Sequence, residues 1–413
     1  PARVLQSPEG VAEQPALVAA GGRLHAVWSG GPSGPIYHSW AYVGDAHAPD
    51  GWSEPLPLPM AGATGASPDV LVDASEALHV VYAVPLNEDR GMYTVRSDDR
   101  GESWSEAQVI FDAAAAGWAM ADHPTLAVDP AGTLHVAWVR GSQDGHFPPE
   151  GIFYARSTDG GRTWSEPRAM AEGAYDWPRV AVALTGQAHL LWNEASPGGG
   201  CLHRWSADHG GSWSRQQEVP GFRGVVGPLG LTADGARTLH LVGLGRDDAD
   251  EPALLYTVWD GSAVSGATLT TAEGRWGKRE TFRLDLAEGF VPGAAVAVAG
   301  AQGRLSVAFR AEVKSDEDIR EVVFHAERSV PAVEAEPERV GTPVPAVTPT
   351  PSPMPTPTPT PRPAVPAQPP QPGPAVLALG PLTLPMTALG GLALATLIVV
   401  GVLIGRGLGA ERP

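Results

Sequence analysis

Six short runs along the chain share one shape, apolar and β-branched positions followed in five cases by a closing aromatic. They are Leu24–Trp28, Leu78–Tyr82, Leu134–Trp138, Ala188–Trp192, Leu239–Gly243 and Leu305–Phe309. Their second residues are His25, His79, His135, His189, His240 and Ser306, and their starts lie 54, 56, 54, 51 and 66 residues apart. Upstream of each stands another apolar run introduced by Pro15, Pro68, Pro124, Pro178, Pro228 or Pro292. Proline at the first residue of a strand sacrifices no ladder hydrogen bond, so these prolines predict where six inner strands begin. A third run follows the second, such as Ile152–Arg156, then a polar turn, then a fourth opening on Trp-Ser-Glu-Pro or a variant. Four short strands repeated six times predict an all-β, six-bladed β-propeller over residues 1–330.

The repeats are unequal. The first keeps only Asp50-Gly51-Trp52 at its turn, the fifth has an insertion between Asp260 and Trp276, and the sixth has no turn or fourth strand after Phe324–Arg328. Pro1-Ala2-Arg3-Val4-Leu5 resembles the fourth strand at Pro167–Met170, so the N-terminal segment is expected to supply the missing strand and close the ring.

Composition narrows the partners. Twenty-eight Lys and Arg against 46 Asp and Glu give a net charge of −18, which argues against nucleic acid. Cys201 is the sole cysteine, so neither an intramolecular disulfide nor a cysteine-ligated metal is available. From residue 331 to 376 the chain turns rich in Pro and Thr, which predicts an extended stalk without a core. Residues 377–413 read as a membrane anchor with a short cytoplasmic tail. Its apolar stretch 384–404 is long enough to span a bilayer, and Arg406 and Arg412 behind it place the propeller outside the cell. Within it, Leu384-Pro385-Met386-Thr387-Ala388 resembles a variant of the Leu-Pro-x-Thr-Gly wall-sorting signal, with Ala388 in place of Gly, so wall attachment is the alternative form of surface anchoring. The sequence opens on Pro1 without a basic and apolar leader, which fits an export signal already removed.

The turn between third and fourth strands carries the most specific motif. Ser157, Asp159, Gly161 and Trp164 lie in Arg-Ser-Thr-Asp-Gly-Gly-Arg-Thr-Trp, and Ser97, Asp99, Gly101, Trp104 and Ser206, Asp208, Gly210, Trp213 repeat the spacing. A short carboxylate can accept backbone N–H groups inside its own turn, glycine allows positive φ, and the following Trp can pack into the blade. The motif resembles the Asp-box, or BNR, repeat of the sialidase-like β-propellers of the neuraminidase superfamily. The resemblance implies a propeller in which these boxes maintain the fold and face away from the ligand site. The recurrent strand histidines sit too far apart around a ring to share a metal, and read as hydrogen-bonded blade residues.

If the family geometry holds, a ligand face is built from the loops leading into the inner strands and those between second and third strands. Those segments offer Asp122, His123, Tyr175, Asp176, Trp177 and Arg179 in the first set, and Glu194, Arg246 and Arg310 in the second. Stacking faces, carboxylates and guanidinium groups are what a sugar site requires, and Trp177, Asp176, His123 and Arg246 are the expected ligand contacts. Sialidases use a Tyr nucleophile with an activating Glu, an Asp acid/base and three arginines for the substrate carboxylate, so Glu194, Arg179, Arg310, Tyr175 and Asp122 are the catalytic candidates the resemblance suggests. The family's Phe-Arg-Ile-Pro motif is absent, and Gln14-Pro15-Ala16-Leu17 stands in that region without an arginine. Arg204 fits the third-strand slot that also holds Arg96 and Arg156, which gives it a structural role. Asp247, Asp248 and Asp250 could supply oxygen ligands to Ca2+, although a solvated acidic loop explains them as well and no other cofactor is indicated.

Three functions follow as expectations. The first is a surface-displayed, monomeric propeller that recognises an extracellular carbohydrate or protein without sialidase catalysis. The second is an exo-α-sialidase or divergent glycoside hydrolase, and the third a purely architectural surface protein.

Overall fold

A computed structural model describes residues 12–31, 34–142, 149–183, 185–225, 227–233, 238–260, 275–283, 290–300, 304–314 and 319–329. Among these residues the chain forms six antiparallel sheets in sequence order. The first holds β1 (Glu13–Ala20), β2 (Arg23–Ser29), β3 (Ile36–Tyr42) and β4 (Leu56–Pro57). The second holds β5 (Ala66–Val72), β6 (Leu78–Val84), β7 (Gly91–Ser97) and β8 (Gln108–Asp112). The third runs β9 (Met120–Val128), β10 (Leu134–Gly141), β11 (Gly151–Ser157) and β12 (Arg168–Glu172). The fourth runs β13 (Tyr175–Val182), β14 (Ala188–Glu194), β15 (Gly200–Ser206) and β16 (Gln217–Arg223). The fifth contains β17 (Gly230–Ala233), β18 (Thr238–Arg246) and β19 (Pro252–Asp260), with β20 (Arg275–Trp276) and β21 (Glu280–Arg283) both paired to β19. The sixth has three strands, β22 (Phe290–Gly300), β23 (Arg304–Lys314) and β24 (Ile319–Ser329).

The inner strands pack side by side in chain order, β1 on β5, β5 on β9, β9 on β13, β13 on β17 and β17 on β22. This is a β-propeller with five complete blades and a three-stranded sixth sheet, which corrects the expectation of six full blades. A blade acquires its fourth strand through the turn after the third, and the sixth repeat has no such turn in its sequence. The segment expected to substitute for it, Pro1–Leu5, lies outside the described residues, as do residues 331–413, where a stalk and an anchor are expected.

The apolar core lies between blades. Ala137, Ile152, Tyr154 and Met170 of blade three pack with Val180, Leu190, Trp192 and Trp213 of blade four in one cluster. Other clusters join blades one and two, two and three, four and five, and five and six. Trp28, Trp138 and Trp192 close the second strands of blades one, three and four and are fully buried. Removing a side chain of that size from water contributes roughly 1.5–3 kcal/mol, so Trp138 and Trp192 hold neighbouring blades together while Trp28 packs within blade one.

The three Asp-boxes have one geometry. In blade three Ser157 Oγ accepts the Gly161 N–H at 2.9 Å and donates to Asp159 Oδ1 at 2.8 Å. Asp159 then accepts Thr163 N–H at 2.9 Å and the Thr163 hydroxyl at 2.6 Å. These hydrogen bonds hold the Asp159 carboxyl down at about 2, and the equivalent bonds do the same for Asp99. Each box sits against the preceding blade. Trp104 edges onto His38 with ring centroids 5.0 Å apart, Gly161 lies beside His79, and Gly210 lies against Tyr154 and His135. His25, His38, His79 and His135 are therefore seats for the neighbouring box, whereas His189 and His203 pack against Trp259 of blade five. The histidines also pair across their own sheet: His25 with His38 and His189 with His203, both at 3.1 Å, and His135 with the Tyr154 hydroxyl at 2.7 Å. The third-strand arginines serve the same contact, since Arg156 Nη1 donates to the His209 carbonyl in the box of blade four.

Candidate functional site

Strand register fixes which end of a blade can bind. In blade four Val182 pairs with Ala188, which pairs with Ser206 at the start of the box. Tyr175 pairs with Glu194, and Asp176 with Asn193, at the other end of the same strands. The box and the candidate residues thus occupy opposite ends of the sheet.

At that second end the inner strands carry an unusual backbone. Gln14, Ser67, His123 and Trp177 all have positive φ, at 51°, 49°, 51° and 54°, and each directly precedes a proline. Gly227, with φ of 76°, stands before Pro228 in blade five. The residue before proline ordinarily takes an extended conformation, and positive φ in a residue with a side chain costs about 1–3 kcal/mol. A register shift follows at each site, between Glu13 and Ala16, Ala66 and Asp69, Asp122 and Thr125, and Asp176 and Arg179. Pro15, Pro68, Pro124 and Pro178 therefore mark β-bulges inside the strands, not strand starts as expected, whereas Pro228 stands just ahead of β17; a bulge removes the ladder partner that proline could not serve.

Hydrogen bonds link the bulges from blade to blade. Gln14 Oε1 accepts the Ser67 N–H at 2.7 Å, and Ser67 Oγ donates to Asp122 Oδ1 at 2.7 Å. Asp122 Oδ1 also accepts the His123 N–H at 2.7 Å, and His123 Nδ1 lies 2.7 Å from Asp176 Oδ1. Asp176 Oδ1 in turn accepts the Trp177 N–H at 2.6 Å. The two aspartates thus bind the strained amides that follow them. Burial works against the charged form of His123, but the Asp122 charge and the Asp176 hydrogen bond outweigh it and raise its pKa. The His123 ring stacks on the Trp177 indole, with centroids 4.1 Å apart and planes 16° from parallel.

Trp177 opens onto a cavity of about 270 Å3 between blades four and five. Its walls are Asp176, Trp177, Asn193, Glu194, the turn Ala195–Gly198, and Gly224, Val225 and Gly227. Glu194 is exposed and its Oε2 accepts the Gly200 N–H at 2.8 Å. Asn193 is 5% exposed; its Nδ2 donates to the Gly227 carbonyl at 3.1 Å, while its buried Oδ1 has no partner among the described residues.

Asp176, Trp177 and Glu194 are thus brought together, and His123 and Asp122 support them from behind. The remaining candidates are elsewhere. Arg179 lines no part of the cavity; it donates through Nε to the Leu229 carbonyl at 3.1 Å and lies close enough to His123 for its charge to oppose protonation there. Burial raises the Asp69 carboxyl on blade two, while the charge of Arg179 and the amides of Leu126 and Val70 hold it down in part. Tyr175 packs edge-on against Trp192. Arg246 bonds within its own turn, to the Asp250 carbonyl at 2.6 Å, and Arg310 lies on β23 opposite Val323, its side chain outside the described set. Asp247 is bonded to Arg283 at 2.8 Å and Asp248 to Arg279 at 2.6 Å. Among the described residues no group of three or more His, Cys, Asp or Glu is placed to hold a metal ion, and no helix is long and apolar enough to cross a membrane.

Asn193 and the Gly224–Gly227 wall went unselected in the sequence. Asn193 was visible only as the neighbour of Glu194, and no sequence signal announces that a loop of blade five closes a pocket on blade four.

No protein-family model matches the sequence, and no curated protein matches it. Solved structures do resemble it. A protein of unknown function from Dyadobacter fermentans DSM 18053 is 15% identical, with 80% of this chain and 97% of that one covered and a TM-score of 0.56. The intramolecular trans-sialidase of Ruminococcus gnavus in complex with oseltamivir carboxylate is 10% identical, covering 79% and 96% at a TM-score of 0.53. The leech intramolecular trans-sialidase complexed with 2,7-anhydro-Neu5Ac is 10% identical, covering 77% and 68%, also at 0.53. The fold is that of the sialidase-like β-propellers.

Proposed function

We propose that this chain is a cell-surface-displayed, sialidase-like propeller that binds an extracellular carbohydrate without sialidase catalysis. The observation that carries this reading is the cavity between blades four and five, where an aromatic face and hydrogen-bond acceptors converge and, among the described residues, no arginine or lysine forms a wall. A sialidase centre needs guanidinium groups around the substrate carboxylate and a Tyr activated by Glu. Here Arg179 is bonded to Leu229, Tyr175 is packed on Trp192, and Glu194 is bonded to the Gly200 amide. Surface display rests on the Pro/Thr-rich segment 331–376 and the apolar run 384–404, with wall attachment through Leu384–Ala388 as its other form. The test of the non-catalytic reading is a fluorogenic sialoside assay on the full chain. Release indistinguishable from buffer is expected; turnover that disappears in Glu194→Gln would establish the hydrolase instead.

A further inference from the structure

The same cavity bears on which sugar it takes, an inference that rests on the carbohydrate reading above. Among the described residues, the charged and aromatic side chains of its walls are acceptors or a stacking face, with the Ser196 hydroxyl as a neutral donor or acceptor. Asp176 and Glu194 are carboxylates, Trp177 offers an indole face backed by His123, and the described wall includes no Arg, Lys or His. The independent observation is Asn193. It is 95% buried at the cavity wall, its amide nitrogen is committed to the Gly227 carbonyl, and its buried Oδ1 has no partner among the described residues. A buried acceptor left unmade costs roughly 1–3 kcal/mol, so a ligand donor that displaces the atoms covering it is favoured.

We infer that the cavity between blades four and five holds one uncharged pyranose, stacked on Trp177 and donating its hydroxyls to Asn193 and Glu194, and that it discriminates against sialic acids. The volume, about 270 Å3, lies just below the range of roughly 300–1,000 Å3 usual for ligand pockets and suits a single ring. A pyranose has an apolar C–H face for the indole and hydroxyl donors at its edge. A sialic acid brings a carboxylate, which would enter beside Glu194 with no cation on the wall to receive it, and like charges in one partly buried site repel.

The experiment is a titration of the full chain against pairs of immobilised oligosaccharides that are identical except at the end, one ending in galactose or glucose and the other capped by N-acetylneuraminic acid. The uncapped members should bind at least tenfold more tightly than the capped ones. Trp177→Ala should weaken that binding tenfold or more. Glu194→Gln, which removes the charge from the wall while retaining an acceptor for Gly200, should narrow the gap between the uncapped and the capped glycans. Preference for the capped members, lost in Trp177→Ala, would overturn the inference and leave carbohydrate binding standing. Binding of neither member, or binding unchanged in Trp177→Ala, would overturn the carbohydrate reading of this site and the inference with it.

Discussion

Gly210 and Tyr154 meet so closely that a methyl group on the glycine would overlap the Tyr154 hydroxyl, which is itself bonded to His135. Gly210 also has φ of 77°. Two penalties therefore combine in Gly210→Ala, left-handed strain and a clash against a hydroxyl that holds a buried histidine. Gly132 separates them, because its φ is 84° and nothing lies within 4 Å of a Cβ built there. Gly132→Ala should cost about 1 kcal/mol from backbone strain, while Gly210→Ala should cost about 2–4 kcal/mol. Urea denaturation of both variants checks this, and equal losses would mean that the Tyr154 contact relaxes freely. The residues before the bulge prolines show the limit of residue-scale reading. Nothing in Gln14-Pro15, Ser67-Pro68, His123-Pro124 or Trp177-Pro178 announces positive φ, because the local rule for a residue before proline favours an extended backbone. The conformation is imposed by bonds to partners in the next blade, such as Gln14 to Ser67 and Asp176 to His123.

At the scale of the element, the Asp-box was legible and the pocket largely was not. Ser157, Asp159 and Gly161 interact within a few residues of each other, so their spacing already determines the turn. Strands were legible for the same reason, and each of the six apolar runs lies within its strand, from β2 through β23. The pocket depends on Asp176 and Asn193 facing Gly227 across a blade boundary, a contact that no local periodicity encodes. The uniformity of the boxes gives a prediction. Ser157→Ala removes the acceptor of a buried Gly161 N–H and should destabilise the protein by about 1–3 kcal/mol. Ser97 and Ser206 accept Gly101 and Gly210 N–H at 2.8 and 2.9 Å, so their alanine variants should match it within about 1 kcal/mol. Hydrogen exchange of the three glycine amides would check the mechanism. If those amides stay as protected in the alanine variants as in the parent, the serine hydroxyl is not what holds the turn.

For the whole molecule, the buried histidines at the contacts between blades make the propeller sensitive to acid. Burial pushes His38 and His189 down to about 3 and His25 to about 4, and it lowers His203 as well. These groups stay neutral in the folded chain while an unfolded chain takes up protons below about 6.5. The unfolded state then binds more protons than the native one, so stability rises with pH and is lost as pH falls from about 6.5 toward 3–4. For a site such as His189 the loss between pH 7 and pH 5 is about 2 kcal/mol, and its hydrogen-bonded pairing with His203 means that the two titrate as a unit. His123 has the opposite sign, since its raised pKa supplies stability below about 6.5 that fades as pH climbs through its folded value, but it is one group against several. The box carboxylates Asp99 and Asp159, held at about 2, act in a separate window, with stability present above about 3.8 and lost as pH falls toward 2. Urea midpoints measured at pH 7, 6 and 5 should fall steadily through a range in which the box carboxylates do not yet titrate. His189→Gln should start less stable and fall less steeply, because the titrating pair has been broken. A midpoint that stays level from pH 7 to pH 5 would mean that the seats between blades accept protons without opening, and that the buried histidines do not govern the acid stability of this propeller.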